Sequence, residues 1–266
     1  MKMIVVKIGG SVGINYQNLV SDIANHNEKI VLIHGGSSQL NKLQEKLGNP
    51  VQTIVSPSGF VSRRTDAQTI EMFCMVYCGQ MNKMLVTMLQ KEGINAVGLS
   101  GVDGRLFEGK RRTAIRSVEN GKTILIRDDL SGRVEKTNSQ LIQLLLDNNY
   151  FPVITPPAIS YENDIINTDG DVAAAQLAQD LIADTLVILS NTNGLLKDLN
   201  DPNSTIRNIP REELENFMQY AQGRMKKKVL GAQKALASGI KKVIFANANV
   251  DNPLTSALAG QGTVIE

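Results

Sequence analysis

The chain of 266 residues has no tryptophan and only 4% aromatic residues, so it lacks the ring platforms on which single-stranded nucleic acid stacks. Its 28 basic residues stand against 26 acidic ones, a formal net charge of +2. That excludes the strong basic excess of a nucleic-acid-binding chain and names no partner by itself. No run of 18 apolar residues occurs, and the N-terminus reads as a strand rather than as a charged segment followed by an apolar signal core. A cytoplasmic protein with no membrane or nucleic-acid partner is expected. The two cysteines, Cys74 and Cys78, stand four apart in an expected helix. With no His or third Cys beside them to complete a metal site, they are expected as reduced core thiols. Internal repeats and low-complexity segments are also missing.

What is present is a core, with 42% hydrophobic residues, and an α/β alternation. Met3 to Val6 form an apolar run that carries Lys7 and breaks at Gly9-Gly10, the pattern of a buried strand opening into a glycine turn. In an open α/β sheet that end faces the ligand, and glycines let backbone N–H groups approach a phosphate closely. The unit then repeats. A helix from Gln17 to Asn27 leads to a strand over Lys29 to Ile33, which ends at His34-Gly35-Gly36-Ser37-Ser38 before a helix from Ser38 to Leu47. Two parallel turns followed by helix N-termini make a concave set of donors for anionic oxygens. His34 is either a base or a packed, backbone-bonded side chain.

Residues 51–61 read as irregular. Arg63 and Arg64 then precede a long helix, about Thr69 to Lys91, capped by Thr65 or Asp66, where they clamp an anion or lie solvated on the surface. A third strand, Ile94 to Leu99, follows. From Asp103 to Asn138 the pattern turns to short charged pieces around a hairpin signal at Asn120-Gly121, with Lys110, Arg111, Arg112 and Arg116 making it basic. Such a hairpin is either a charged edge guarded against aggregation or a docking patch for an acidic macromolecule.

A helix (Ser139 to Asn148) and a strand (Tyr150 to Thr155) restore the frame. Asn167, Asp169 and Asp171 then bring polar side chains to the start of a helix that runs through Leu181. The strand Thr185 to Leu189 opens into Ser190-Asn191-Thr192-Asn193-Gly194, polar residues at a strand mouth suited to a nucleoside. Residues 222–228, with Lys226, Lys227 and Lys228, introduce a helix over Val229 to Ser238; lysines in a first turn oppose the helix dipole, so an anion is expected near them. The strand 241–247 is the last of the core, and Gly260 to Glu266 reads as a short edge strand.

Lys7-Ile8-Gly9-Gly10, His34-Gly35-Gly36, Ser62-Arg63-Arg64-Thr65, Asn167-Thr168-Asp169-Gly170-Asp171 and Gly223-Arg224-Met225-Lys226-Lys227-Lys228 occur together in this order. With them the whole chain resembles the amino acid kinase family, in its acetylglutamate kinase branch. Residues 100–112, Thr155-Pro156-Pro157-Ala158, Ser160 to Asn163 and the lysine-rich last motif are similar to the kinases that act on aminoadipate or glutamate carried by the protein LysW.

The resemblance implies a three-layer α/β/α sandwich around a mostly parallel sheet, with a β-hairpin excursion. Residues 1–157 would form an N-terminal lobe for the acyl substrate and for dimerisation, and 158–266 a C-terminal lobe for ATP. By the same resemblance Lys7 neutralises the transferring phosphoryl group, Lys228 binds nucleotide phosphates and Asp171 orients both lysines. Gly9, Gly10 and Ser11 hold phosphate, Gly35 and Gly36 hold the substrate's oxygens, and Arg63 and Asn167 grip its α-carboxylate side. The choice of Arg63 over Arg64 rests on Arg-x-Thr spacing. Ser190, Asn191, Asn193, Gly194 and Met225 would contact ATP, which arrives with Mg2+ and without a direct protein ligand for the metal.

Lys226 and Lys227 are expected to face the carrier or the nucleotide, and Lys110, Arg111, Arg112 and Arg116 to dock the acidic carrier. A homodimer is expected. The alternatives are an acetylglutamate kinase acting on free N-acetylglutamate and, more remotely, a non-catalytic nucleotide-binding regulator. Nothing before the first strand suggests the arginine-regulated hexamer of that branch, and nothing after Glu266 suggests an aspartokinase.

Overall fold

The computed structural model describes all 266 residues, except the side chain of Arg224. The chain runs β1 (Met3–Ile8), α1 (Tyr16–Ile23), β2 (Lys29–His34) and α2 (Ser37–Lys46), then a small hairpin of β3 (Thr53–Val55) and β4 (Val61–Arg63). A long helix follows as α3 (Ala67–Cys74), a π-helical stretch (Met75–Met81) and α4 (Asn82–Lys91). Next come β5 (Ala96–Ser100), β6 (Phe107–Arg111), the hairpin β7 (Ile115–Glu119) and β8 (Lys122–Ile126), β9 (Gly132–Thr137), α5 (Ser139–Asp147) and β10 (Phe151–Thr155). The remainder is β11 (Ala158–Ser160), β12 (Ile165–Ile166), α6 (Gly170–Asp180), β13 (Thr185–Ser190), β14 (Asn208–Ile209) and α7 (Leu214–Phe217). It closes with α8 (Gly223–Ala237), β15 (Lys242–Asn247), α9 (Pro253–Leu258) and β16 (Thr263–Ile265).

Eight strands form the central sheet in the order β14-β16-β15-β13-β1-β2-β10-β5. Its neighbours pair in parallel, apart from the antiparallel pair β15–β16. Successive residues of a strand point to opposite faces, and both faces are covered. Val5, Val31, Ile188 and Phe245 pack with α5, α6 and α8 residues such as Ile142, Ala174, Leu177 and Val229. Ile4, Val6, Leu32 and Val187 pack on the other side with Leu19, Leu85, Leu89 and Leu254 from α1, α4 and α9. Burial on both faces is why the strands read as continuous apolar runs. The result is the expected three-layer α/β sandwich. β1 lies between β2 and β13, so the chain switches direction across the sheet there, and the strand ends on either side open a crevice.

Several expectations change. The excursion after β5 is more than a hairpin: β6 and β9 join β11 and β12 in a second, four-stranded sheet. Lys110 and Arg111 lie on β6 in that sheet, whereas the Asn120-Gly121 hairpin is the separate β7–β8 pair. Residues 51–61 contribute a hairpin rather than an irregular loop. The last strand is not an edge, because β14 pairs along its outer side. α8 begins at Gly223 instead of Val229, since the Arg, Met and Lys between them are good helix formers. Lys226, Lys227 and Lys228 are therefore its fourth to sixth residues, past the turn where the dipole opposes them most strongly. Cys74 and Cys78 are free thiols and half-buried rather than core residues.

Candidate functional site

Lys7 stands near the end of β1, opposite Ile33 of β2 and Ile188 of β13. The chain turns at Gly9-Gly10, and the Gly35-Gly36 turn after β2 meets it. A Cβ on Gly10 would lie 2.2 Å from the Gly36 nitrogen, and one on Gly35 would lie 2.9 Å from the Gly10 nitrogen, so the two turns interlock backbone to backbone. Only glycine permits that approach. The Gly9 N–H continues the sheet to the Leu189 oxygen at 3.0 Å, and the Gly35 N–H donates to the Ile8 oxygen at 3.1 Å. Tyr16 Oη donates to the Gly9 oxygen at 3.1 Å; burial pushes its phenol up to about 12. Among the described residues, the N–H groups of Gly10, Ser11, Gly36 and Ser37 have no protein acceptor, and two of them open α2 with its positive end.

Asp171, in the first turn of α6, links the two expected lysines. Its Oδ1 is 2.5 Å from Lys7 Nζ and its Oδ2 is 3.7 Å from Lys228 Nζ. All three side chains are largely buried, with 11–16% of their surface exposed. Burial acts to raise the Asp171 pKa, but the two ammonium groups outweigh it and hold the carboxyl at about 2. Burial lowers the pKa of Lys228 and Lys7 lowers it further, with Asp171 and Asp169 opposing. One carboxylate between two ammonium groups leaves a surplus positive charge, which calls for an anion. Asp169 caps α6, accepting from the N–H of Asp171 at 2.9 Å, and so sets where Asp171 points.

On the acceptor side, Arg64 donates Nη2 to Asp128 at 2.7 Å and Nη1 to Gln52 at 2.9 Å. Its charge is already matched. Arg63 instead bonds the amide oxygens of Gln44 and Asn41 on α2, the helix that starts at the second glycine turn. The helix N-cap is Asp66, not Thr65. Asn167 donates Nδ2 to Thr65 Oγ1 at 2.9 Å, which joins the two motifs across 102 residues and leaves it a second amide hydrogen. Asp129, buried and unremarkable in the sequence, accepts from Thr65 N–H and from Ser131 N–H, both at 2.8 Å. No local signal marks it. The hydroxyls of Thr155 and Thr168 are buried without a protein partner among the described residues, at the end of β10 and just before α6.

On the opposite side, Ser190 ends β13 and meets the Thr192 hydroxyl at 3.2 Å. Asn191 donates to the Val12 oxygen at 2.8 Å, tying this mouth to the first glycine turn, and accepts from Asn249 at 3.3 Å. Asn193 donates to the Pro202 oxygen and accepts from Asn247 at 2.8 Å. Asn247 and Asn249, after β15, are thus part of this mouth and were not among the expected contacts. Gly194, with φ of 135°, sits where a Cβ would be 2.4 Å from Thr263 Oγ1, so its place here is structural. Met225 packs against the core. Lys226 and Lys227 lie over the ring of Phe60, 6.0 and 5.6 Å from its centroid, and bridge α8 to the β3–β4 hairpin that carries Arg63.

The basic residues do not form one hairpin patch. Arg116 is on the separate β7–β8 pair, and Arg111 is partly engaged, 3.2 Å from Asp164 and from the Asp129 oxygen. Lys110 and Arg112 are exposed and line, with Arg133 and Thr113, a shallow cavity of 280 Å³. Arg133, directly across from Lys110 in the β6–β9 register, was not among the expected docking residues. Like charges placed opposite each other destabilise a sheet; Glu135, two residues further along β9, lines the same cavity.

Surplus positive charge, paired backbone donors and a helix start converging beside a central lysine are the equipment of a phosphotransferase, which works by positioning and charge cancellation. The chain belongs to the amino acid kinase family, whose sequence pattern matches residues 2–247. It is 54% identical over 268 residues to the [LysW]-aminoadipate kinase of Deinococcus radiodurans, covering all of this chain and 92% of that one. It is 53% identical to the [LysW]-aminoadipate kinase of Thermus thermophilus, covering 99% of this chain and 100% of the relative. Among solved structures it is similar to the N-acetylglutamate synthase from Neisseria gonorrhoeae, with a TM-score of 0.79 at 22% identity over 99% of this chain. The chain spans 59% of that synthase chain, and the likeness shows a shared fold.

Proposed function

We propose that this protein phosphorylates the side-chain carboxylate of aminoadipate, or of glutamate, attached through its α-amino group to the acidic carrier LysW, in lysine biosynthesis and, with glutamate, in arginine biosynthesis. The observation that carries the reading is the buried Lys7–Asp171–Lys228 triad beside interlocked glycine turns, in a chain more than half identical to two [LysW]-aminoadipate kinases. A carboxylate attacks as the ion, so no general base is needed. ATP supplies the phosphoryl group. In this reading Lys7 lies against the equatorial oxygens, Lys228 holds the nucleotide phosphates, and Asp171 keeps the two lysines apart at fixed places. The N–H groups of Gly10, Ser11 and Gly36 add donors, Gly10 and Gly35 let the turns close, and the Gly9 N–H ties the first turn to β13. Arg63 and Asn167 hold the α-carboxylate side.

The residues suit a polyphosphate: free backbone donors, an unbalanced positive charge and two partnerless buried hydroxyls, of Thr155 and Thr168. Among the described residues no three His, Cys, Asp or Glu side chains cluster to hold a metal ion. Mg2+ would arrive bound to the nucleotide's phosphate oxygens, the way it commonly does in kinases. Residues 1–157 carry the acyl side and 158–266 the nucleotide side, joined by the β1–β13 pairing. We read the protein as a cytoplasmic homodimer, with Met75, 61% exposed on the long helix, among its candidate contacts. Among the described residues no helix is long and apolar enough to cross a membrane.

The test is acyl phosphate formation from ATP, trapped as hydroxamate, with carrier-bound aminoadipate, carrier-bound glutamate, free N-acetylaminoadipate and free N-acetylglutamate. Turnover confined to the carrier-bound forms is expected; efficient turnover of free N-acetylglutamate sinks the reading in favour of an acetylglutamate kinase. The two carried amino acids differ by one methylene, so their rates should separate by only about 10- to 200-fold. Docking is tested separately. Reversing Lys110, Arg112 and Arg133 to Glu should raise KM for the carrier-bound substrate about tenfold at low salt and flatten its salt dependence, with kcat little changed. An unaltered KM would return the patch to a solvated edge.

A further inference from the structure

His34, the last residue of β2, is fully buried directly before the second glycine turn, and the mechanism above gives it no task. Its Nδ1 lies 3.0 Å from the Gly35 oxygen, and its Nε2 lies 3.2 Å from Asn82 Nδ2. Asn82 has a fixed orientation. Its Nδ2 also reaches the Val153 oxygen at 3.0 Å and the Leu99 oxygen at 3.4 Å, while its Oδ1 receives Lys83 Nζ at 3.1 Å. An amide nitrogen only donates and a carbonyl only accepts. Nε2 is therefore the acceptor and Nδ1 the donor, a neutral ring with one assigned tautomer. Burial pulls its pKa down to about 4, helped by the Lys83 ammonium and opposed by the Gly35 carbonyl. Nε2, the one nitrogen able to take a proton, faces the Asn82 amide, so His34 is not a base for the reaction.

The network is built deliberately tight. A Cβ on Gly98 would fall 2.0 Å from Asn82 Oδ1, so the glycine in β5 makes room for it. Four elements, β2, α4, β5 and β10, thus meet at the Asn82 amide, and through the His34 ring this network reaches the Gly35 carbonyl. In a planar trans peptide the carbonyl and the following N–H point in opposite directions. Fixing the Gly35 oxygen fixes the Gly36 N–H on the other side of that plane, and the Gly36 nitrogen lies against Gly10 of the facing turn.

We infer that His34 is a positioning residue, which in its Nδ1–H tautomer holds the Gly35 carbonyl and so aims the Gly36 N–H at the transferring phosphoryl group. The inference rests on the proposed kinase reading for its last step only. A loose Gly35–Gly36 peptide would rotate away, and one oxyanion donor lost to rotation is a rate loss of about 10²- to 10³-fold.

Two half-substitutions separate the roles of the ring nitrogens. Asparagine places an amide N–H near the position of Nδ1, and glutamine reaches the position of Nε2 instead. We expect His34→Asn to keep kcat within about tenfold of the parent and His34→Gln to lose about 100-fold, with KM for the acceptor within a few fold in both. A glutamine variant as fast as the asparagine one overturns the inference. The ring nitrogens of ¹⁵N-histidine-labelled parent protein give a readout that needs no activity. Nδ1 protonated and Nε2 bare, unchanged from pH 5 to pH 8, is expected; the opposite tautomer, or titration within that range, overturns it. Should neither variant fold, that spectrum decides. A parent protein with this spectrum but no phosphoryl transfer would defeat the kinase reading and leave the His34 geometry standing.

Discussion

Replacing Lys7 by methionine lowers kcat by about 100-fold or more and leaves KM for the acyl acceptor within a few fold. Lys7 is the one cation planted on the central strand itself, between β2 and β13, and its ammonium touches Asp171 at 2.5 Å with little exposure. A phosphoryl group in transfer spreads negative charge over its equatorial oxygens, so a fixed cation there gains more in the transition state than in the ground state. Methionine fills the same space without charge. The fold should tolerate it, because Asp171 keeps Lys228 as partner and a buried charge is removed rather than added. Arginine should not rescue, since its planar fork needs more room than the point charge it replaces. Steady-state kinetics on the carrier-bound substrate checks this. A methionine variant within threefold of the parent would remove Lys7 from the transition state.

The sequence was most readable where one local rule decides. Met3–Ile8 and Lys29–His34 are buried on both faces, and such strands read as apolar runs that end at the glycines of the next turn. Asp171 was visible because Asp169 and Gly170 announce a helix start. The alternating frame followed from these, while the link of Lys7, Asp171 and Lys228 came from the family resemblance. The rest was hidden by distance or by brevity. β11 and β12 have three and two residues, too few to show a period, so the second sheet went unseen and Lys110 was placed on the wrong hairpin. Asp129 looks like one acid of an exposed Arg-Asp-Asp run, yet the fold buries it against Thr65, 64 residues away. The His34–Asn82 pair spans 48 residues, and neither residue has a local pattern that requires the other. The strand mouth at Ser190 was legible as polar, but its closure by Asn247 and Asn249 depends on β15 lying next to β13.

Asp171 is where the chemistry and the stability of the fold meet, so its replacement should show in both. Asp171→Ala leaves Lys7 and Lys228 buried and facing each other without a counter-charge, and breaking a buried ion pair this way costs about 3–5 kcal/mol. The rate should fall with it, because neither lysine keeps its place. The pH dependence separates electrostatics from packing. The carboxyl sits at about 2 in the folded protein and at roughly 3.9 in an unfolded chain. A lowered folded-state value means the unfolded state binds the proton first, so this contribution is complete above about pH 5 and is lost as the pH falls towards 2. It is worth roughly 2 to 3 kcal/mol in the parent. Asp171→Asn keeps the shape and never carries the charge. Its deficit against the parent, from denaturant unfolding, should be full at pH 7 and shrink steadily between pH 5 and pH 2. A deficit that stays constant over that range would mean the side chain acts through packing alone, and a triad held by charge would then have to be abandoned.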